Sequence, residues 1–199
     1  MIPGQTAAND AVPSLDDTFA WIKQLDGKMT RPRNANLTLE QLRTMTDLQI
    51  GGHRKSDKKH IVVPLEEFKH LAALPALTKL HLGENDGTTD EAMIYVGKLT
   101  GLKELILWDS PLTDAGFKHL TNLKELRTLD LAFATKVTTA ALTNIVQLPN
   151  LENLTISGTK ISDVSPLVKA PKLKMLKVGK LMPGGIDELK KAKPDLQIQ

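Results

Sequence analysis

Apolar residues recur along this chain as Leu-x-x-Leu-x-x-Leu-x-Leu. Full copies stand at Leu74/Leu77/Leu80/Leu82, Leu99/Leu102/Leu105/Leu107, Leu123/Leu126/Leu129/Leu131 and Leu148/Leu151/Leu154/Ile156. Weaker copies occupy Leu42/Met45/Leu48/Ile50 and Ala170/Leu173/Leu176/Val178, with a truncated one at Leu196/Ile198. The final apolar positions, 50, 82, 107, 131, 156, 178 and 198, lie 32, 25, 24, 25, 22 and 20 residues apart. A period in the twenties with this spacing predicts one short strand and one helix or 3₁₀ segment per unit. Successive strands run parallel, because each is followed by a return segment. Their leucines face the core, since strand side chains alternate. The outer layer is wider than the sheet, so the stack is expected to curve with the sheet on its concave face.

The outer segments carry their own start signals. Thr89-Asp90 precedes Met93, Thr113-Asp114 precedes Phe117, and Thr138-Thr139 precedes Leu142. Asp or Thr there can accept hydrogen bonds from free amides of a first helical turn. Ahead of the repeats, Ser14-Leu15-Asp16-Asp17 reads as another helix start. Phe19, Ile22 and Leu25 follow on one face, and Asp26-Gly27 closes the segment. We read residues 14 to 26 as an amphipathic helix covering the first open edge of the core, with Trp21 packed beneath it. Residues 28 to 36 read as a connection. Thr38-Leu39-Glu40-Gln41 opens a short helix before a first strand from Asp47 to Ile50. The whole forms one domain: a tail at 1–13, a cap and connection at 14–36, and about seven repeats over 37–199.

Two segments resemble known repeat types. Pro111-Leu112-Thr113-Asp114-Ala115-Gly116-Phe117 is similar to the Thr-Asp-x-Gly-Leu helix starts of cysteine-containing leucine-rich repeats, in versions common in bacterial proteins. Gly158-Thr159-Lys160-Ile161-Ser162-Asp163-Val164-Ser165-Pro166-Leu167 resembles the 22-residue repeats of internalins and phosphatase-regulator proteins, whose outer segment is a 3₁₀ turn. The resemblance covers residues 37 to 199. It implies an α/β, right-handed leucine-rich repeat solenoid (horseshoe): a parallel β-sheet on the concave face, helices and 3₁₀ turns on the convex face. It also implies a protein-recognition role without naming a partner. The family prefers Asn or Cys at the turn after each strand. Here that position holds Asn85, Ser110, Ala134 and Thr159, so only Asn85 matches.

Composition narrows the function. The net charge is +3 over 199 residues, too small to argue for nucleic acid, and no nucleic-acid partner is expected. We expect a monomer. There is no cysteine, hence no disulfide framework. No apolar run reaches the length of a membrane span. Met1-Ile2-Pro3-Gly4 does not read as a signal peptide. The polar stretch Gln5 to Asp10 fits what remains after a signal is removed, which slightly favours an exported protein, periplasmic or at the cell surface, over one with a plain cytoplasmic tail. Phosphate-loop, dinucleotide, nucleophile-elbow and zinc-protease motifs are missing, so no enzyme and no cofactor is expected. His53 and His60 flank a basic stretch without an acidic or cysteine partner at ligand spacing, so no metal is expected either.

Candidate binding residues come from the outward-facing strand positions. Equivalent positions form three rows: Asp47, Lys79, Glu104, Thr128, Asn153, Met175, Asp195; then Gln49, His81, Ile106, Asp130, Thr155, Lys177, Gln197; then Gly51, Gly83, Trp108, Ala132, Ser157, Gly179, Gln199. Trp108 stands between Gly83 and Ala132, too small to cover it, and is expected to be exposed. With Ile106, Asp130 and His81 it would form the centre of a partner-binding surface, with Phe133, Glu104 and Asp109 at its edge. Phe133 has two readings: it leans toward this surface, or it turns into the core, which we favour. The expected function is recognition of an unidentified protein or peptide through the concave face. Two rivals remain: a structural or cell-envelope scaffold, and a binder of an anionic or glycan ligand through Lys177 and Lys180. Eight lysines between Lys169 and Lys193 give the latter its warrant.

The first step of 32 residues exceeds its neighbours, and the surplus falls in the basic stretch His53 to His60. Surface insertions of this size are tolerated at small entropic cost. Deleting residues 54 to 59 is therefore expected to leave the thermal melting curve nearly unchanged. A large fall in Tm would mean that the stretch packs within the first repeat.

Overall fold

The computed structural model describes residues 11–28, 34–53, 59–180 and 183–199. The basic stretch at 54–58 and most of the expected tail lie outside these residues. Within them, seven strands form one parallel sheet in sequence order: β1 (Asp47–Gln49), β2 (Lys79–His81), β3 (Glu104–Ile106), β4 (Thr128–Asp130), β5 (Asn153–Thr155), β6 (Met175–Lys177) and β7 (Gln197–Ile198). The middle residues form one column, pairing Leu48, Leu80, Leu105, Leu129, Leu154, Leu176 and Ile198 in register. Leu80, Leu105, Leu129 and Leu176 are fully buried, and Leu154 is 1% exposed. The flanking strand residues of β2 to β5 are half-buried, as alternation requires.

The last register differs from the expected one. Leu196 and Ile198 were aligned with Leu176 and Val178, but Ile198 pairs with Leu176, and Gln197 rather than Asp195 pairs with Met175. Leu196 takes the turn position instead. Its N–H donates to the Lys193 carbonyl (3.1 Å), as that of Leu126 does to Leu123 (3.1 Å). The strand therefore starts two residues later than its leucine spacing suggests, at Gln197 instead of Asp195.

The N-terminal cap is α1 (Leu15–Lys28), started by Ser14, whose Oγ accepts from the Asp17 N–H (3.0 Å). It runs two residues beyond the expected end, because Asp26 is not a surface terminator. Asp26 is buried and accepts from the Asn34 Nδ2 (3.2 Å), which also donates to the Gln49 carbonyl (2.9 Å). That amide ties the cap to β1. The Thr38–Gln41 capping box forms as read, opening α2 (Leu39–Arg43). Trp21 is buried and stacks on His70 with ring centroids 4.9 Å apart. His70 lies in the 3₁₀ segment Leu65–Ala73; its Nδ1 meets the Thr18 Oγ1 (3.0 Å) and its Nε2 the Glu67 carboxylate (3.3 Å). Thr18, at the hydroxyl end of this chain, is fully buried.

The outer layer consists of α3 (Met93–Val96), the 3₁₀ segment Asp114–Leu120, the 3₁₀ turn Thr139–Ala141 leading into α4 (Leu142–Ile145), the 3₁₀ segment Ser165–Lys169, and α5 (Ile186–Ala192). Thr113 and Thr138 cap as expected, accepting from the Ala115 and Ala140 N–H groups (both 3.3 Å). The aspartates do something else. Asp90 accepts from the N–H (2.9 Å) and hydroxyl (2.5 Å) of Thr113, one repeat further on. Asp114 holds Thr138 the same way, at 2.7 and 2.6 Å. Thr113-Asp114 thus caps its own segment with the threonine and clamps the next repeat with the aspartate.

Two outcomes are expected. Leu129→Ala should cost about 2–5 kcal/mol through lost burial and a cavity, and Asp114→Ala about 1–3 kcal/mol through Thr138 groups left unpaired, both read from urea unfolding. The second concerns pH. Burial lowers the pKa of His70, opposed by Glu67 and Asp17 and reinforced by Lys69. The folded protein therefore binds this proton less readily than the unfolded chain, so stability from this group is complete above the ordinary value of about 6.5 and lost as pH falls through the depressed one. Tm should fall on acidification below about pH 6.5, and His70→Phe, which keeps a ring against Trp21, should flatten that fall.

Candidate functional site

The concave sheet and the turns at its carboxyl edge bring the candidate residues into order. Register places Lys79 beside Glu104, and His81, Ile106, Asp130 and Thr155 side by side across β2 to β5. Lys79 and Glu104 form an ion pair at 3.1 Å, and the hydrogen bond to Glu104 holds the Lys79 ammonium above its ordinary pKa. Beyond them a groove of about 230 Å³ opens over β3 to β6, lined by Glu104, Ile106, Asp130, Thr155, Met175 and Lys177 among others. Of the expected centre, Ile106 and Asp130 line this groove, and of the rival basic site, Lys177 does. Met175 and Thr155 belong to it too, although only their place in the rows pointed to them.

Trp108 does not stand free. Its indole lies across Gly83, where an added Cβ would come within 2.6 Å of Nε1, and the indole N–H donates to His81 Nε2 (2.7 Å). The ring is half-buried as a result. Gly83 is small so that the tryptophan can lie down over it, which the small-neighbour argument took as a reason for exposure.

Phe133 is the opposite case. Expected to turn into the core, it is 57% exposed. The N–H ladder runs three residues past the strands, with Asp109 donating to Ala132 and Phe133 to Ser157 (both 2.8 Å). The Ala134 N–H then closes a tight turn onto Leu131 (3.0 Å), as Thr159 does onto Ile156 (3.1 Å). The third residue of such a turn needs positive φ, a place that favours glycine. Gly158 fills it in one repeat (φ 74°), whereas Glu84 (55°), Asp109 (50°) and Phe133 (59°) fill it in the others. Left-handed backbone points the Phe133 side chain away from the core and over Gly158, whose added Cβ would meet Cδ1 at 2.8 Å. The two aromatic rings therefore splay apart and do not form one cluster. Aligning Phe133 with Gly158 would have shown this, since a glycine position in one repeat marks the same backbone in its neighbour.

Carboxylates collect at the same edge. The Asp130 Oδ1 accepts from the Ala132 N–H (2.9 Å). His60 lies between Asp86 (3.1 Å) and Asp109 (3.4 Å), and His53 faces Glu84 (3.4 Å). His53 and His60 form an antiparallel bridge with their rings edge to face at 5.0 Å. Among the described residues no group of three or more such side chains is arranged to hold a metal ion. Asn85 is buried, its Oδ1 accepting from Val63 (3.1 Å) and Gly87 (2.9 Å). No asparagine column continues from it, because Ser110, Ala134 and Thr159 follow. Among the described residues no helix is long and apolar enough to cross a membrane.

An open parallel sheet with one leucine column and short outer helices defines a leucine-rich repeat solenoid. Residues 68–189 match the family model of Zer-1-like leucine-rich repeats, and the chain belongs to that family. Among solved structures it is similar in fold to an internalin from Listeria monocytogenes, at 18% identity and a TM-score of 0.57. That match covers 97% of this chain and 59% of the internalin chain, so the present chain spans little more than half of that protein's length. No curated protein matches the sequence. Family and fold together suggest a protein-interaction module.

Proposed function

We propose that this chain is a non-catalytic recognition module that binds a protein or peptide through its concave face and the carboxyl edge of β3 and β4. Phe133 carries the reading. A large aromatic ring at positive φ is a steric outlier, and here it also exposes apolar surface. Both features cost stability, and neither is recovered in the core. Strain of this kind collects where a ligand contact gives it a use. Trp108, seated and satisfied by His81, supplies a preorganised neighbour. Ile106, Asp130 and the groove extend the surface along the sheet, with Glu104 and Asp109 at its margin. The anionic-ligand reading keeps one observation in its favour, exposed Lys177 at the far end of the same groove.

The test starts from pull-down with the wild-type chain and continues with affinities for the captured partner. Phe133→Ala and Trp108→Ala are each expected to weaken binding by at least about 2 kcal/mol, roughly thirtyfold. Phe133→Ala should leave the circular dichroism unchanged. Unchanged affinity in both variants, together with steep salt dependence and loss on replacing Lys177 and Lys180, would move the site to the basic end.

A further inference from the structure

We propose that the carboxyl ends of β3 and β4 form a cradle for one arginine side chain of the partner, a proposal that rests on the concave-face reading above. The two rings diverge: Trp108 lies toward β2 over Gly83, and Phe133 toward β5 over Gly158. Ala132, the outward residue between them, is too small to fill the gap. Asp109 follows Trp108 at the end of β3, and Asp130 stands on β4 ahead of Phe133. Asp130 pairs in register with Ile106, and Asp109 stands on the strand edge next to Phe133 in the ladder, through its bond to Ala132. Neighbouring strands are about 4.8 Å apart, so the four side chains spring from one small patch.

Its chemistry is cation-selective. The outward and turn positions of β3 and β4 are Glu104, Ile106, Trp108, Asp109, Thr128, Asp130, Ala132 and Phe133, which include three acids and no base. In a chain of net charge +3 that is a local reversal of sign. Glu104 is neutralised by Lys79 and Asp109 faces His60, but Asp130 forms no ion pair among the described residues. The Trp108 indole N–H is already donated to His81, so the ring offers its surface rather than a donor. Aromatic surfaces flanking carboxylates attract a guanidinium, which stacks on rings and donates two parallel N–H bonds to a carboxylate in one plane. Lysine, a compact and strongly hydrated point charge, uses only part of this arrangement. The adjoining groove, with Ile106 and Met175 in its lining, takes the next residues of an extended segment.

The probes are acetylated, amidated Ser-Gly-Arg-Gly-Ser and its counterparts with Lys, Glu or Leu at the centre, titrated into ¹⁵N-labelled protein. The arginine peptide should shift the Trp108 indole resonance and the amides of Asp109, Asp130 and Phe133 saturably, more strongly than the lysine peptide. Asp130→Asn and Phe133→Gly should each weaken it roughly fivefold. Phe133→Gly places glycine where Gly158 already has it, so its Tm should not fall, and lost binding cannot then be put down to unfolding. No shift with the arginine peptide, or an equal one with the glutamate peptide, overturns the cradle. Should the leucine peptide alone shift Ile106 and Met175, the cradle falls and the concave-face reading stands. If every probe shifts only residues outside the sheet, both fall.

Discussion

Everything in this molecule depends on one column of leucines beneath one hydrogen-bonded ladder. A single repeat of some two dozen residues has an apolar stripe and nothing to bury it against. Stacking supplies the partner: each leucine of the Leu48 to Ile198 column is covered by the one before and the one after. At about 25 cal/mol per Å² of apolar surface removed from water, this burial is the main favourable term. The ladder fixes the strand spacing, while the outer helices and 3₁₀ turns are bulkier than strands. Curvature with the sheet inside follows from that mismatch.

A stack of this kind has two weak places, its ends and its outer seam. The first end is closed by α1, with Trp21 on His70 and Asn34 reaching β1. The seam is held by Asp90 on Thr113 and Asp114 on Thr138, each taking both an amide and a hydroxyl. In the next repeat Thr139 stands in for the aspartate, and its Oγ1 accepts from Ser162 (3.1 Å) and Asp163 (3.3 Å). A hydroxyl in place of a carboxylate gives a neutral and longer contact. The seam is therefore weaker at Thr139 than at Asp90 and Asp114.

The carboxyl edge is where the repeat departs from its own economy. The turn after each strand demands left-handed backbone, and glycine meets that demand without strain, as at 158. Glutamate, aspartate and phenylalanine meet it at 84, 109 and 133. These three side chains are thereby held out of the core and along one rim. The rim is thus a row of display positions whose backbone is set by the fold, with Glu84 facing His53, Asp109 facing His60, and Phe133 exposed.

Much of this was legible in the residues. Leucine spacing determines the first six strands, their parallel order, their inward face and their outward rows, because a period-two strand and a near-constant repeat length leave one arrangement that buries every leucine; only the last strand escapes it. Capping by Ser14, Thr38, Thr113 and Thr138 was legible too, since a cap is a local contact within a few residues. What only the tertiary structure decided involves contacts across repeats. Trp108 was read as exposed from its small neighbours, but Gly83 makes room for the ring and His81 binds it. Phe133 has two readings in the sequence, toward the concave surface or into the core with the core favoured, and the turn geometry shared with Gly158 turns it outward. Asp90 and Asp114 looked like local caps and are clamps to the next repeat; Leu196 looked like a strand leucine and is a turn residue. A side chain's direction at such positions depends on φ and on the neighbour one repeat away. Neither is a property of the local sequence, and both exist only once the stack has formed.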